Sequence, residues 1–176
     1  MPRIALLIAS LAGIGAAIAG PAAAQAPLAQ AAQDRHYESL WNPQGRLCFE
    51  RQQRETLELE KAITVCLKSL DALAKKRRAL RSPKPFELAD FDYNEAMLLS
   101  GLGAAYALRD GTDTRRTCQA VERLWAIAVR LQAVSKDAVS AKWYASYQRL
   151  PGSMTDVVLM CRERGGTPDG APSVPL

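Results

Sequence analysis

The 176-residue sequence contains a single histidine, His36, no C-x-x-C pair and no glycine-rich phosphate loop. A three-histidine zinc centre therefore has no ligands, and thioredoxin-like or haem-attachment motifs have no residues to build them. Aromatic residues make up only 6% of the chain, and no stretch alternates apolar and polar residues for long enough to read as a strand. With 48% hydrophobic and 23% charged residues, the chain is globular in composition, which excludes a disordered, collagen-like or polytopic membrane protein. The formal charge of +5 is a mild basic excess. It permits attraction to anionic polymers or acidic partners without calling for nucleic acid.

The N-terminus carries a targeting pattern. Arg3 forms a short positive region, and Ile4 to Ala19 is an apolar run too short and too rich in small residues for a membrane span. Ala22-Ala23-Ala24 satisfies the A-x-A cleavage rule, whereas cleavage after Ala26 would leave Pro27 first. Residues 1–24 are therefore read as a signal peptide, with export to a periplasm or the cell exterior. No cysteine follows the apolar run until Cys48, so a lipoprotein anchor has no attachment point. No integral membrane segment is expected after processing.

Residues 25–33, an Ala/Gln/Pro stretch, read as a flexible linker, and residues 165–176, rich in Gly, Pro and Ser, as a disordered tail. Between them, residues 34–164 have helical periodicity. A short helix is expected from Asp34 to Trp41, stopped by Asn42-Pro43-Gln44-Gly45. From Arg46 to Arg81 there is neither Gly nor Pro, and Leu59, Ile63, Cys66, Leu70 and Leu73 recur at helical spacing, which predicts one long helix ended by Ser82-Pro83-Lys84-Pro85. Its lower half is weaker, because Gln52 and Glu55 fall on the apolar face and a break near Thr56 would suit them. The next helix, capped at Asp90, Asp92 or Asn94 and running to Arg109, is apolar almost all round and reads as the buried centre of the bundle. Gly101 and Gly103 within it suggest that another backbone approaches closely. A helix carrying Cys118, Val121, Leu124, Trp125, Ala128 and Leu131 on one face follows, then helices from Asp137 to Leu150 and from Thr155 to Arg164. The fold class is thus all-α, a single-domain bundle of about five helices.

Leu99, Leu102, Gly103 and Tyr106 stand at the L-x2-L-G-x2-Y spacing of a tetratricopeptide first helix, and Ala120 with Leu124 resembles the second. The resemblance covers one hairpin. Tyr106 and Ala120 are about five residues too far apart, no proline closes the unit and no second copy follows, so it implies a hairpin packed through small residues and not a repeat array.

Four cysteines in an exported chain, Cys48, Cys66, Cys118 and Cys161, imply two disulfides. On one straight helix Cys48 and Cys66 would stand about 27 Å apart. They could not then join, since a bridge needs α-carbons within about 7 Å. Measured along the predicted helices, Cys66 lies level with Cys118, which gives Cys66–Cys118 and Cys48–Cys161. A break near Thr56 would instead allow Cys48–Cys66 with Cys118–Cys161.

Candidate chemistry is sparse. His36 beside Asp34, Arg35 and Glu38 reads as a solvated side chain. Glu87, Asp90, Asp92 and Glu95 are the one acidic cluster from which a glycan-cleaving pair could be drawn, although acids at a helix start are favoured by the macrodipole alone. The run Lys75, Lys76, Arg77, Arg78, Arg81 and Lys84 offsets a helix C-terminus and can also dock an anionic polymer, a lipid headgroup or an acidic partner. Trp143, Tyr144 and Tyr147 form an aromatic group that can be core or contact surface. The expectation is an exported helical binding protein without catalytic chemistry or cofactor, whose partner is a protein or an anionic envelope polymer. The competing readings are an envelope enzyme acting on glycan through paired carboxylates and a carrier of apolar ligands with a cavity beside Gly101 and Gly103. No exposed apolar stripe that would signal a dimer stands out.

Overall fold

The computed structural model describes residues 21–41, 43–49, 57–112, 114–150, 159 and 161. Most of the expected signal peptide, the 165–176 tail and most of the last predicted helix lie outside the described residues, although Leu159 and Cys161 are helical. The described residues form six helices and no strands: α1 Pro21–Leu40, α2 Pro43–Phe49, α3 Leu59–Arg78, α4 Pro85–Asp110, α5 Arg115–Gln132 and α6 Ala141–Arg149. The chain is a disulfide-stapled all-α single domain.

Helix ends follow local chemistry. Pro43 and Pro85 each occupy a first helical position, where a missing N–H costs nothing. Glu87 Oε2 accepts a hydrogen bond from the Lys84 backbone N–H at 2.8 Å, so α4 starts at Pro85 and not after Asp90, Asp92 or Asn94 as expected. Gly111 closes α4 with φ 107°, a conformation that favours glycine. Thr114 caps α5, its hydroxyl accepting from the Thr117 N–H.

The central position of α4 is as the all-round apolar pattern predicts. One of its faces packs Phe91, Leu98, Leu102 and Ala105 against Cys48 of α2 and Ala62, Ile63, Cys66 and Leu73 of α3. Its other face packs Ala89, Ala96 and Leu99 against Leu124, Ile127 and Leu131 of α5 and Trp143 and Tyr147 of α6. The two glycines are explained by these neighbours. A Cβ on Gly101 would lie 2.4 Å from the Cys48 carbonyl oxygen, so α2 rests on bare α4 backbone. A Cβ on Gly103 would meet Ala120 Cβ at 3.7 Å, an ordinary contact within the α4–α5 hairpin. Small residues do fasten this hairpin, and the space beside both glycines is filled by protein.

Two expectations about the N-terminal half are overturned. The segment 25–33 is not a linker but part of α1, and Gln33 at its end is buried. What holds it is a polar anchor and not an apolar stripe, so hydropathy gave no sign of it. Likewise the Gly- and Pro-free stretch from Arg46 to Arg81 is two helices, α2 and α3, not one. The chain doubles back between them, which places Cys48 and Cys66 with α-carbons 5.0 Å apart and joins them. Cys118 is joined to Cys161, with α-carbons 5.4 Å apart. The Cys66–Cys118 and Cys48–Cys161 pairing is therefore incorrect, because it assumed one straight rod where Cys48 and Cys66 belong to two separate helices packed together.

Non-reducing peptide mapping should recover linked fragments containing Cys48 with Cys66 and Cys118 with Cys161, and none joining Cys66 to Cys118. In denaturant titrations, Gly101→Ala should lose about 2 kcal/mol, because the obstruction is backbone. Gly103→Ala should stay within about 1 kcal/mol of the parent, since helix propensity gained balances a mild contact.

Candidate functional site

Asp90, on the first turns of α4, is completely buried, and a carboxylate there is tolerable only with donors around it. It has three. Oδ1 accepts from Gln33 Nε2 and from the Tyr147 hydroxyl, each at 2.9 Å, and Oδ2 lies 2.8 Å from His36 Nδ1. Gln33 is itself fully engaged: its second amide hydrogen faces the Tyr147 oxygen at 3.1 Å, and its Oε1 accepts the Ser140 backbone N–H at 2.9 Å. Asn94 Nδ2 donates to the Asp90 carbonyl one turn away. This hub ties α1, α4, α6 and the 135–140 loop to one carboxyl group.

Burial raises the Asp90 carboxyl above its ordinary range, and the donors Gln33, His36 and Tyr147 pull it partly back. The Tyr147 phenol is pushed far up by burial and by the neighbouring Asp90 charge, so it acts as a donor throughout the accessible pH range. His36 is not the solvated side chain expected of it. Its side chain is 19% exposed, and the rings of Phe86 and Phe91 meet it edge-on at 5.8 and 5.9 Å. No hydroxyl or thiol is hydrogen-bonded to the ring among the described residues, so the pair serves here as a fastening between α1 and α4.

A second fastening lies alongside. Trp143 Nε1 donates to Asp34 Oδ1 at 2.7 Å, joined there by Lys142 Nζ at 3.1 Å. Burial works to raise the Asp34 carboxyl, yet the hydrogen bonds from Lys142 and Trp143 hold it below the ordinary value. Trp143 stacks against Tyr37 with centroids 4.3 Å apart, and Tyr93 fills the angle between Trp143 and Tyr147. Burial pushes the Tyr37 phenol up to about 12. Trp143 and Tyr147 are thus core and not a partner surface, with only Tyr144 half-exposed. Their spacing of four aims both at the same interior face.

The four acids proposed for catalysis are all in use. Glu87 caps α4, Asp90 is the hub, and Asp92 accepts from Arg77 at 2.5 Å with Arg130 at 3.4 Å. Glu95 pairs with Arg123, whose Nε lies 2.9 Å away, and stands 3.6 Å from Arg77. The basic run is correspondingly divided. Lys75 pairs with Asp71, Lys76 Nζ donates to the Ser39 carbonyl at the end of α1, Arg77 serves the acids of α4, and Lys84 lies over the Phe86 ring. Arg78 and Arg81 are exposed with no ion-pair partner among the described residues. Arg77, Arg78 and Arg123 line a cleft of about 200 Å³ together with Leu70, Leu73 and Phe91.

A larger groove of about 630 Å³ runs between α1 and the 137–141 segment, lined by Ala29, Ala32, Phe86, Val139 and Ala141 among others. The buried Ser140 hydroxyl in its wall has no partner among the described residues. No group of three His, Cys, Asp or Glu side chains converges to hold a metal ion among the described residues. No described helix is long and apolar enough to cross a membrane. Compared with protein-family models, with curated proteins and with solved structures, the chain matches none.

The hub was not legible from the sequence, because its members are separated by 54 to 114 residues and none belongs to a motif. Replacing Asp90 with Ala orphans three buried donors and should cost about 3 kcal/mol or more in urea unfolding. Asp90→Asn keeps acceptors for Gln33 and Tyr147 and should cost far less. A carboxyl whose folded-state value is raised stabilises least once pH exceeds that value. The parent should therefore lose stability relative to Asp90→Asn as pH rises from about 4 toward 7, read from unfolding midpoints at each pH.

Proposed function

We propose that this chain is an exported binding protein, working in a periplasm or outside the cell, that recognises an anionic region of a partner macromolecule through the basic end of α3 and performs no chemistry of its own. The carrying observation is the unequal fate of the basic run. Lys75, Lys76 and Arg77 each have a partner within the protein, Lys75 only an exposed one on its own helix, whereas Arg78 and Arg81 project into solvent with no ion-pair partner among the described residues. Unpaired exposed charge does little for stability, so its concentration at one end of a helix is better suited to an external anion.

Export is supported by the signal-like N-terminus and by two disulfides, which persist in oxidising compartments. The binding reading is favoured over glycan cleavage because Glu87, Asp90, Asp92 and Glu95 each hold an internal partner in place of facing one another across an open cleft. An apolar-ligand carrier is the second reading. Packing at Gly101 and Gly103 removes the cavity first expected for it, but the α1 groove has the volume of a small-molecule pocket. Native mass spectrometry would reveal a co-purifying ligand in that case.

Sequencing the mature chain should begin at Gln25. In the same preparation, the double charge reversal Arg78→Glu/Arg81→Glu should weaken salt-sensitive binding to polyglutamate by at least about tenfold with the unfolding midpoint unchanged. Binding that is indifferent to the reversal would remove the basic surface from the proposal.

A further inference from the structure

The basic surface is not uniform, and its one recessed part has a defined shape. Between α3, α4 and α5 a cleft of about 200 Å³ is lined by the guanidiniums of Arg77, Arg78 and Arg123, by the Glu95 carboxylate that pairs with Arg123, and by the apolar side chains of Leu70, Leu73, Ala74 and Phe91. Arg77 and Arg123 are already oriented by Glu95, and Arg77 and Arg130 by Asp92. Three guanidiniums share two carboxylates in this network, which leaves one positive charge in excess. Arg78, with no internal acid among the described residues, contributes its charge outright.

We infer that this cleft is a subsite for one acidic residue followed by an apolar one on a partner polypeptide, with the carboxylate held between Arg78 and Arg123 and the apolar side chain laid on Leu70, Leu73 and Phe91. The inference rests on the binding reading above and gives it a partner class. Three features favour a polypeptide. A volume of about 200 Å³ is below that of ordinary small-molecule pockets, which begin at about 300 Å³, and suits the ends of two side chains of a bound peptide. Arginine forks match carboxylate geometry, and pre-paired forks lose little freedom on binding. Glu95 lines the cleft and Asp92 stands beside it, so the recess itself carries spare positive charge for one carboxylate and not for a run of them, which a partner with a single acid between neutral neighbours satisfies.

The test is a titration of isotope-labelled, disulfide-intact protein, followed by amide chemical shifts. The probe is an acetylated and amidated Gly-Ser-Gly-Glu-Leu-Gly-Ser-Gly peptide, with Gln-Leu and Glu-Ser versions as controls. Phosphatidylglycerol vesicles form a separate arm. The Glu-Leu peptide should shift the amides around Leu70, Arg78, Phe91 and Arg123 with millimolar affinity, and each control should bind about tenfold more weakly. Arg78→Gln should weaken the peptide about fivefold or more, and Ala74→Trp, which fills the cleft without changing charge, should abolish it. Arg81→Gln, outside the cleft, should leave it unchanged. The inference fails if no cleft amide moves up to about 5 mM peptide, or if the vesicles shift those amides and the peptide does not. It also fails if Arg81→Gln weakens the peptide as much as Arg78→Gln while Ala74→Trp has no effect. In that last case polyglutamate binding that still depends on Arg78 and Arg81 would leave the broader binding reading standing.

Discussion

A single buried carboxylate organises this protein. Asp90 sits where α1, α4 and α6 meet, and an ionisable group in that position must either be supplied with donors or be left neutral. Gln33, His36 and Tyr147 supply them, and in doing so each is committed to one orientation. The consequence reaches beyond the hub. With Gln33 and His36 held, α1 must lie along α4, Asp34 comes within reach of Trp143, and Tyr37 completes the aromatic stack. A helix of weak amphipathicity is therefore docked by hydrogen bonds where others are docked by oil, and directional bonds fix its register more tightly than apolar contact would.

The same α4 turns organise the surface charge. Asp92 and Glu95 face away from the hub and draw Arg77, Arg123 and Arg130 into a bridge between α3, α4 and α5. Partly exposed ion pairs of this kind add little stability singly. Their larger effect is positional, because they hold two of these guanidiniums, Arg77 and Arg123, in the lining of the basic cleft. The binding reading follows from what this network leaves over, the unpaired Arg78 and Arg81, and not from the number of basic residues in the run.

Several elements were readable in advance because their causes are local. The all-round apolar pattern of α4 marked it as the centre, and Gly101 marked a close backbone approach that proves to be α2. Others misled for equally physical reasons. The absence of Gly and Pro from Arg46 to Arg81 permits one helix without requiring it, and burial of Cys48 against Gly101 is satisfied only when the chain doubles back. Trp143 and Tyr147 share a helix face, but a face is inward only with respect to a neighbour, and that neighbour, α1, carried no apolar signature.

What the sequence determined by itself is the helical class, a few helix ends, the central element and the expectation that all four cysteines are bonded. Each of these depends on periodicity, capping or composition acting within a few residues. The tertiary structure alone decided which cysteines pair, which acid is buried, which basic residues remain free and which way the aromatics point. Those outcomes depend on contacts between residues up to 114 positions apart, chosen by how the helices meet and by the requirement that a buried charge find partners. Local rules place the helices, and the desolvation of Asp90 decides how they meet.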